Sequence, residues 1–416
     1  MVVNHTTIPR AARAAVLTAL SDTRVVMIDG PRQSGKSTLA AAIARDDHPA
    51  TIRSLDDEDA LRVARSDPIG FLANLGTPAV IDEVQRAPNL ILAIKASVDR
   101  DQRPGRYLLT GSADFLTAPG IPDSLVGRVE RVRLWPFSQS EVERSTNNVV
   151  DRLFAGEPPL IDNAPTGRAA FVERAARGGF PQARLRDERR RFQWFTEYVD
   201  GLLVRDLGEL ANLRRADQAP RLLRVLAGQS AGLLNLRNLS RSLDMAFETV
   251  QSYTKLLETV FLIRRSPAWR TGTGTREGSL PKVYVTDTGL LAYLLTASEE
   301  RIATDDRIAG RMFETFVATE VGKQIEWARG FGIDQLHWRD GQDEVDIVLE
   351  NADGRVVGIE AKVSATIRPE DARGLAKLRD RLGDRFVCGV VVSTSRGTHT
   401  LGERLWAVPV SGLWSG

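Results

Sequence analysis

Eight consecutive residues, Gly30-Pro31-Arg32-Gln33-Ser34-Gly35-Lys36-Ser37, constrain the fold more than any other stretch of the chain. They fit the pattern G-x-x-x-x-G-K-[ST]. An apolar run, RVVMID (24–29), precedes them and a helix-like run, STLAAAIAR (37–45), follows. A strand that must turn sharply into a helix needs glycine where the backbone curls, here Gly30 and Gly35. The curl points successive N–H groups into one concavity, and the helix N-terminus adds partial positive charge. Residues Gly30 to Thr38 are therefore predicted to wrap the phosphates of ATP. In that setting Lys36 reaches the β- and γ-phosphates, and the Ser37 hydroxyl ligates Mg2+.

The neighbouring segments alternate strand-like and helix-like stretches, the pattern of a parallel sheet covered by helices. TIRSL (51–55), PAVIDE (78–83), RYLLTGS (106–112) and RVRLW (131–135) read as strands. AVIDE ends a buried strand on two acids. Asp82 is placed to hold Mg2+ through water, and Glu83 to orient or activate the attacking water. Thr110 and Ser112, ending the next strand, are either sensors of the γ-phosphate or turn caps. Arg128, in GRVER, is either an arginine reaching a neighbouring subunit's γ-phosphate or half of a surface ion pair.

DGPRQSGKSTLA, VIDEVQRAP, LLTGS, LVGRVERVRLWPFS and GGFP together resemble the ASCE/AAA-type P-loop ATPases. They resemble in particular a prokaryotic family that joins such a core to a winged helix and a C-terminal nuclease-like domain. The resemblance implies a sheet with the ATP-binding strand in the middle. It does not say what the ATP is used for.

The bulk composition narrows the remaining classes. A chain of 416 residues with 42% hydrophobic and 26% charged residues is long enough for several globular domains. A formal charge of +2 excludes a strongly basic nucleic-acid binder but permits a local basic groove. One cysteine, Cys388, forms no internal disulfide, and one cysteine with four histidines argues against a zinc cluster. No apolar run approaches a membrane span, and the N-terminus lacks a signal-peptide core, so a cytoplasmic protein without membrane contact is expected.

Periodicity weakens over 146–165, as for a loop, and residues 168–215 read as helical with GGFP (178–181) breaking them. RLRDERRRFQW (184–194), the densest basic run, reads as a solvated helix face. NLSRSLDMAFETVQSYTKLLETVFLIRR resembles a helix-turn-helix followed by the strand and wing of a winged helix. Its second helix carries Thr249, Gln251, Ser252, Tyr253 and Lys255; it serves either DNA reading or packing. TGTGTREGS (271–279) reads as a hairpin tip or linker.

The C-terminal region poses its own problem. In GIEAKVS (358–364) a strand places Glu360 and Lys362 on one face, where buried charge is costly unless it meets a cleft, a metal or a counter-charge. DEVDIVLE (343–350) precedes it with Asp346, and NADG supplies a hairpin turn that brings Asp346 toward Glu360. GRMFETFVATEVGKQI (310–325) reads as an amphipathic helix carrying Glu314. Asp, a hairpin, then Glu-x-Lys is the arrangement of the PD-(D/E)XK nucleases, which this part resembles, with Val345 standing where the family name has Pro. The resemblance implies that Asp346, Glu360 and the added Glu314 hold Mg2+, while Lys362 orients water or stabilises phosphate charge.

The expected fold class is thus α/β. A P-loop ATPase core with a parallel sheet spans 1–145 and a helical subdomain 146–219. A winged-helix-like module spans 220–270 and a restriction-endonuclease-like α/β domain 280–416. The expected activity is Mg2+-dependent ATP hydrolysis coupled to a nuclease-like domain acting on DNA, in a homo-oligomer. The alternatives are an ATP-driven switch, or a DNA-binding regulator, with a non-catalytic nuclease-like domain.

Overall fold

A computed structural model describes residues 8–112, 125, 127–164, 167–203, 218–270 and 279–415. The linker reading of 271–279 and the helical reading of 204–215 fall almost wholly outside these residues. The chain forms two compact units. One comprises Met1–Pro136 and Thr259–Phe261, the other Phe137–Glu258 and Leu262–Gly416.

The first unit is a five-stranded parallel sheet. Its strands are β1 (Val25–Asp29), β2 (Thr51–Ser54), β3 (Ala79–Asp82), β4 (Tyr107–Gly111) and β5 (Val129–Arg133), in spatial order β2-β3-β4-β1-β5. The strand leading into the phosphate turn is interior, flanked by β4 and β5, while β4 holds the centre. Strands β1, β3 and β4 are buried along their whole length, which explains why they read as continuous apolar runs. Alternate side chains then feed two separate cores. Val25, Met27, Ile81 and Leu109 pack with α3 (Glu58–Ser66), α4 (Pro68–Leu75) and α5 (Leu90–Arg100). Val26, Ile28, Val80 and Leu108 pack with α1 (Ala12–Asp22) and α2 (Lys36–Asp46). Helix α3 starts where Asp57 accepts from Ala60 N, and α4 where Asp67 accepts from Gly70 N ahead of Pro68 at the first turn.

The second unit holds two sheets. In the first, a helix over Gln218–Gly228 precedes β6 (Gly232–Leu233). Helices Leu236–Leu243 and Phe247–Thr259, then β7 (Ile263–Ser266) and β8 (Lys282–Val285), follow. These strands pair antiparallel in the order β6-β8-β7, so the small sheet extends beyond 220–270 to take in Lys282–Val285. The two helices meet at Asp244, in the left-handed region at φ 53°, the turn anticipated at Asp244-Met245.

The larger sheet has six strands: β9 (Asp334–Asp340), β10 (Asp343–Glu350), β11 (Val356–Lys362), β12 (Phe386–Ser393), β13 (His399–Gly402) and β14 (Leu405–Pro409). Their order is β13-β14-β12-β11-β10-β9. Strands β9, β10 and β11 pair antiparallel, whereas β11, β12 and β14 pair parallel. The Asn351–Gly354 turn joins β10 to β11, with Gly354 N donating to Asn351 O at 2.9 Å. One face carries the helix Arg373–Leu382, whose Leu375, Leu378 and Leu382 join Val345, Val348 and Phe386 in a common core.

Three sequence expectations are corrected. The weakly periodic stretch after 146 contains a helix, Val149–Phe154, because Asn148 caps it by accepting from Val150 N and Asp151 N. The helix Asp306–Ile325 is not amphipathic but buried on nearly every side. Its polar residues are tolerated because each finds a partner: Lys323 Nζ meets Glu320 at 2.7 Å, Glu320 accepts from Gln139 N at 2.6 Å, and Gln324 donates to Leu413 O at 2.6 Å. Within the basic run 184–194, Arg191 is buried against Glu299 at 2.8 Å, while Arg189 and Arg190 are exposed.

Gly30 leaves no room for a side chain against the backbone of Leu134. Its φ is 148°, and a Cβ would stand 2.2 Å from Leu134 O. Gly30→Ala is expected to lower the stability of the first unit by about 1–3 kcal/mol, read as a fall in the urea midpoint. An unchanged midpoint would contradict the close approach of the turn to Leu134.

Candidate functional site

The phosphate turn is built from the end of β1 upward. Asp29 is buried and held by Arg131 and Arg133 of the adjacent β5. Gly30 follows in close contact with the backbone of Leu134, and Gly35 at φ 100° starts α2. Pro31 and Ser34 are buried, Arg32 is half-buried, and Gln33, Ser37 and Thr38 are exposed. Ser34 Oγ is buried without a hydrogen-bond partner in this cradle. Arg10 fastens the turn from outside, donating to Ser34 O at 2.7 Å and Trp135 O at 2.6 Å. Sequence reading missed Arg10, since 24 residues separate it from Ser34.

Lys36 Nζ donates to Gly30 O at 3.0 Å and Pro31 O at 2.8 Å. Burial pulls its pKa down to about 8, against the opposing pull of Glu83, Asp82 and Asp29. The ammonium is thus held by neutral carbonyls in a dry place, ready to gain from an anionic ligand. Ser37 Oγ donates to Asp82 Oδ1 at 2.7 Å, so the two side chains expected to share Mg2+ already meet. Ser54 and Thr110 also donate to Asp82, at 3.2 and 2.5 Å. These donors fit Mg2+: two hard oxygen groups, one an acid, converge beside the phosphate turn.

Glu83 occupies the left-handed region at φ 57°, where an ordinary residue is strained by about 1–3 kcal/mol. Its N–H donates to Thr110 Oγ1 at 3.1 Å, and its carboxylate accepts from Ser112 Oγ at 3.2 Å and from Gln85. Thr110 and Ser112 therefore both hydrogen-bond the acids at the end of β3. Gln85, which also donates to Ser112 Oγ at 2.8 Å, was not anticipated. Arg128 lies apart from this cluster in its own ion pair, its Nε 2.6 Å from Asp99.

In the second unit the structure brings the predicted C-terminal residues together, but around a cation of the chain's own. Ile347 lies opposite Ile359, which sets Asp346 beside Glu360. The β9–β10 register shifts between Val345 and Val348, a bulge that frees Asp346 N to donate to Glu360 Oε2 at 3.3 Å. Asp346 Oδ2 accepts from Ala361 N at 3.0 Å. Glu360 Oε1 accepts from Lys362 Nζ at 2.8 Å, so the doublet of GIEAKVS pairs with itself.

The remaining oxygens turn onto Lys282 of β8. Its Nζ lies 2.7 Å from Glu314 Oε1 and 2.8 Å from Asp346 Oδ1, and Tyr284 Oη donates to Glu314 at 3.1 Å. Sequence reading missed Lys282 and Tyr284, which stand 64 and 30 residues from the acids they contact. Lys282 and Asp346 side chains are only 7% and 6% exposed. Burial alone would pull the Lys282 ammonium down, but Asp346 and Glu314 outweigh it and hold it well above the usual lysine range. Burial pushes the Glu314 and Glu360 carboxyls up, and Asp346 adds to this, against Lys282 and Lys362 respectively.

Removing one partner of such a buried pair costs about 3–5 kcal/mol, because the charge left behind is uncompensated. No group of three or more His, Cys, Asp or Glu side chains placed to hold a metal ion occurs among the described residues. In this arrangement Glu314, Asp346 and Glu360 do not fit a divalent cation, because Lys282 Nζ takes Glu314 Oε1 and Asp346 Oδ1 and Lys362 Nζ takes Glu360 Oε1.

The glycines of GGFP act structurally. Gly178 leaves no room for a Cβ beside Asp287 Oδ1, and Gly179 N donates to Asp287 Oδ2 at 2.6 Å. No described helix is long and apolar enough to cross a membrane.

Residues 22–143 match the AAA domain family. Residues 168–301 and 309–413 match two families described as domains of unknown function, DUF8612 and DUF4143. The chain is 31% identical over 359 residues to the uncharacterized protein Rv2008c of Mycobacterium tuberculosis, covering 86% of this chain and 74% of that one. The same figures hold for the uncharacterized protein Mb2031c of Mycobacterium bovis. Among solved structures, the Walker-type ATPase PABY2304 of Pyrococcus abyssi gives a TM-score of 0.42 at 16% identity, over 70% of this chain and 97% of that one. The chain belongs to the family of these two mycobacterial proteins, and its N-terminal part is a P-loop ATPase domain of the AAA class.

Proposed function

We propose that this protein is a Mg2+-dependent ATPase whose nucleotide cycle controls a DNA-engaging second unit. That unit combines a winged-helix-like module with a PD-(D/E)XK nuclease-like domain. The observation that carries the ATPase part is the Ser37–Asp82 contact at 2.7 Å beside a phosphate turn with a buried lysine. Ser37 and Asp82 would hold Mg2+, which supplies neutralising charge to the phosphate oxygens when bound. Lys36 exchanges its carbonyl partners for phosphate oxygens. Glu83, aimed by Ser112 and Gln85, takes the proton of the attacking water.

The order helix, strand, helix, helix, strand, strand over 218–285 supports the winged-helix reading. Its helices leave Arg237, Arg241, Gln251, Ser252 and Lys255 exposed, polar and basic groups suited to a DNA backbone and groove. The order helix, three antiparallel strands, helix, parallel strand over 306–393 supports the nuclease-like reading, with Asp346, Glu360 and Lys362 on adjacent strands. A second reading, in which this domain engages DNA as the output of an ATP switch without cutting, is favoured by the Lys282 ammonium on the carboxylates.

Lys36→Ala is expected to abolish ATP turnover. Glu83→Gln should keep nucleotide binding and lose about 10²–10⁴-fold in kcat, measured by phosphate release. Full turnover in either variant would sink the assignment of the site.

Arg128 serves a neighbouring copy's γ-phosphate if the protein works as a homo-oligomer. Arg128→Ala should then lose about 10³-fold in kcat. Mixing it with Lys36→Ala chains should restore turnover, since a mixed pair joins one intact phosphate turn to one intact arginine. An Arg128→Ala protein with ordinary turnover would leave the residue a structural role, with its ion pair to Asp99.

The choice between cutting and switching is made by incubating supercoiled, linear and single-stranded DNA with Mg2+ or Mn2+, with and without ATP. Cutting lost in both Asp346→Ala and Lys362→Ala establishes a nuclease. DNA binding with active ATP turnover and no cutting establishes the switch.

A further inference from the structure

The strand β8 belongs by hydrogen bonding to the small sheet, where Lys282 lies opposite Leu233 of β6 and Ser266 of β7. Its side chain serves the other fold of the unit. Lys282 and Tyr284, two residues apart and so on one face of the strand, both reach Glu314, and Lys282 also reaches Asp346. The acids come from a different helix and a different sheet. Glu360 is drawn off by Lys362, and the second oxygen of Asp346 by Ala361 N. An ammonium is compact and monovalent and carries three donors. It can satisfy two carboxylates at hydrogen-bond distance, as a hard cation would, without polarising water or phosphate as a divalent ion does.

We propose that Lys282 is the resident cation of the Glu314–Asp346 pair and competes directly with divalent metal there, so that a metal enters only when Lys282 leaves. This rests on the geometry of the pair and concerns its occupancy. The nuclease-like reading concerns what the domain does with DNA. The small sheet thereby becomes the element that sets metal access: while β8 stays in place the carboxylates are filled, and displacing β8 exposes them.

The test is Mn2+ titration of the full-length, nucleotide-free protein, with free Mn2+ followed by its electron paramagnetic resonance signal. Asp346→Asn runs alongside to assign any binding to this site. Wild type is expected to show no Asp346-dependent binding. Lys282→Ala, which frees both carboxylates, is expected to gain one Mn2+ per chain, bound about tenfold or more tighter than any site in wild type. Lys282→Ala combined with Asp346→Asn should lose that gain, and Lys282→Arg, which keeps a cation in place, should show none. Asp346-dependent Mn2+ binding in wild type would overturn the proposal, as would a folded Lys282→Ala protein with no new site. Should Lys282→Ala fail to fold, the same variant is refolded with Mn2+ and, separately, with NaCl of matched ionic strength. Recovery of the far-ultraviolet circular dichroism only with Mn2+ supports the proposal, and failure with Mn2+ overturns it. Because the readout is metal occupancy, either result leaves the DNA-cleavage test to be decided separately.

Discussion

A charge taken out of water must be answered where it lands, and that requirement shapes both candidate sites. The effective penalty for burying an ion is several kcal/mol, so a buried charge persists only beside partners that return most of it. Two of the buried lysines, Lys36 and Lys282, are answered in opposite ways. Lys36 donates to the carbonyls of Gly30 and Pro31, and burial pulls its pKa down to about 8 against the opposing pull of Glu83, Asp82 and Asp29. Lys282 touches two carboxylates directly and is held far on the charged side. The first lysine is poised to gain from an anion it does not yet have. The second is already satisfied. A phosphate-binding site needs the first arrangement, and a structural or gating contact needs the second.

The same requirement explains what could be read from the amino-acid sequence. The ATPase unit was legible because its constraints are local. A sharp turn demands Gly30 and Gly35 within six residues, strands buried on both faces become apolar runs, and the acids of AVIDE stand at a strand end. The β10–β11 hairpin was legible for the same reason, since NADG fixes the pairing that sets Asp346 beside Glu360. Lys282, Tyr284 and Arg10 carry no local signature. Each acts on a residue 24 or more positions away, and only the fold makes them neighbours. The helix Asp306–Ile325 misled for a related reason. Glu320, Lys323 and Gln324 look like a solvent face in the sequence, yet they are buried polar groups whose partners come from Phe137, Gln139, Val149 and Leu413.

The resemblance to PD-(D/E)XK nucleases shows how a motif and an environment can diverge. Asp346, Glu360 and Lys362 lie together on adjacent strands. What the pattern omits is the group on the far side of the acids. A carboxylate pair facing solvent would recruit a hard cation from it, whereas one facing a lysine recruits the lysine, because the tethered ammonium is always at hand and brings no hydration shell to shed. The identity of residue 282 therefore bears on metal chemistry as directly as that of the acids themselves.

The path of the chain gives the proposed coupling a physical route. Thr259–Phe261 belong to the first unit although the helix Phe247–Thr259 and β7 on either side lie mainly in the second. Phe261 packs edge-on against Trp135 at 5.7 Å, and the Arg133 guanidinium lies over its ring at 5.1 Å. Arg133 also binds Asp29, the residue before Gly30. Phe261 and Asp29 thus share Arg133 as a contact within the first unit. Phe261 is joined covalently to Leu262 and through it to β7, and β7 pairs Ser266 with Lys282. On the proposed coupling, nucleotide state reaches the carboxylates by moving the strand that holds their cation.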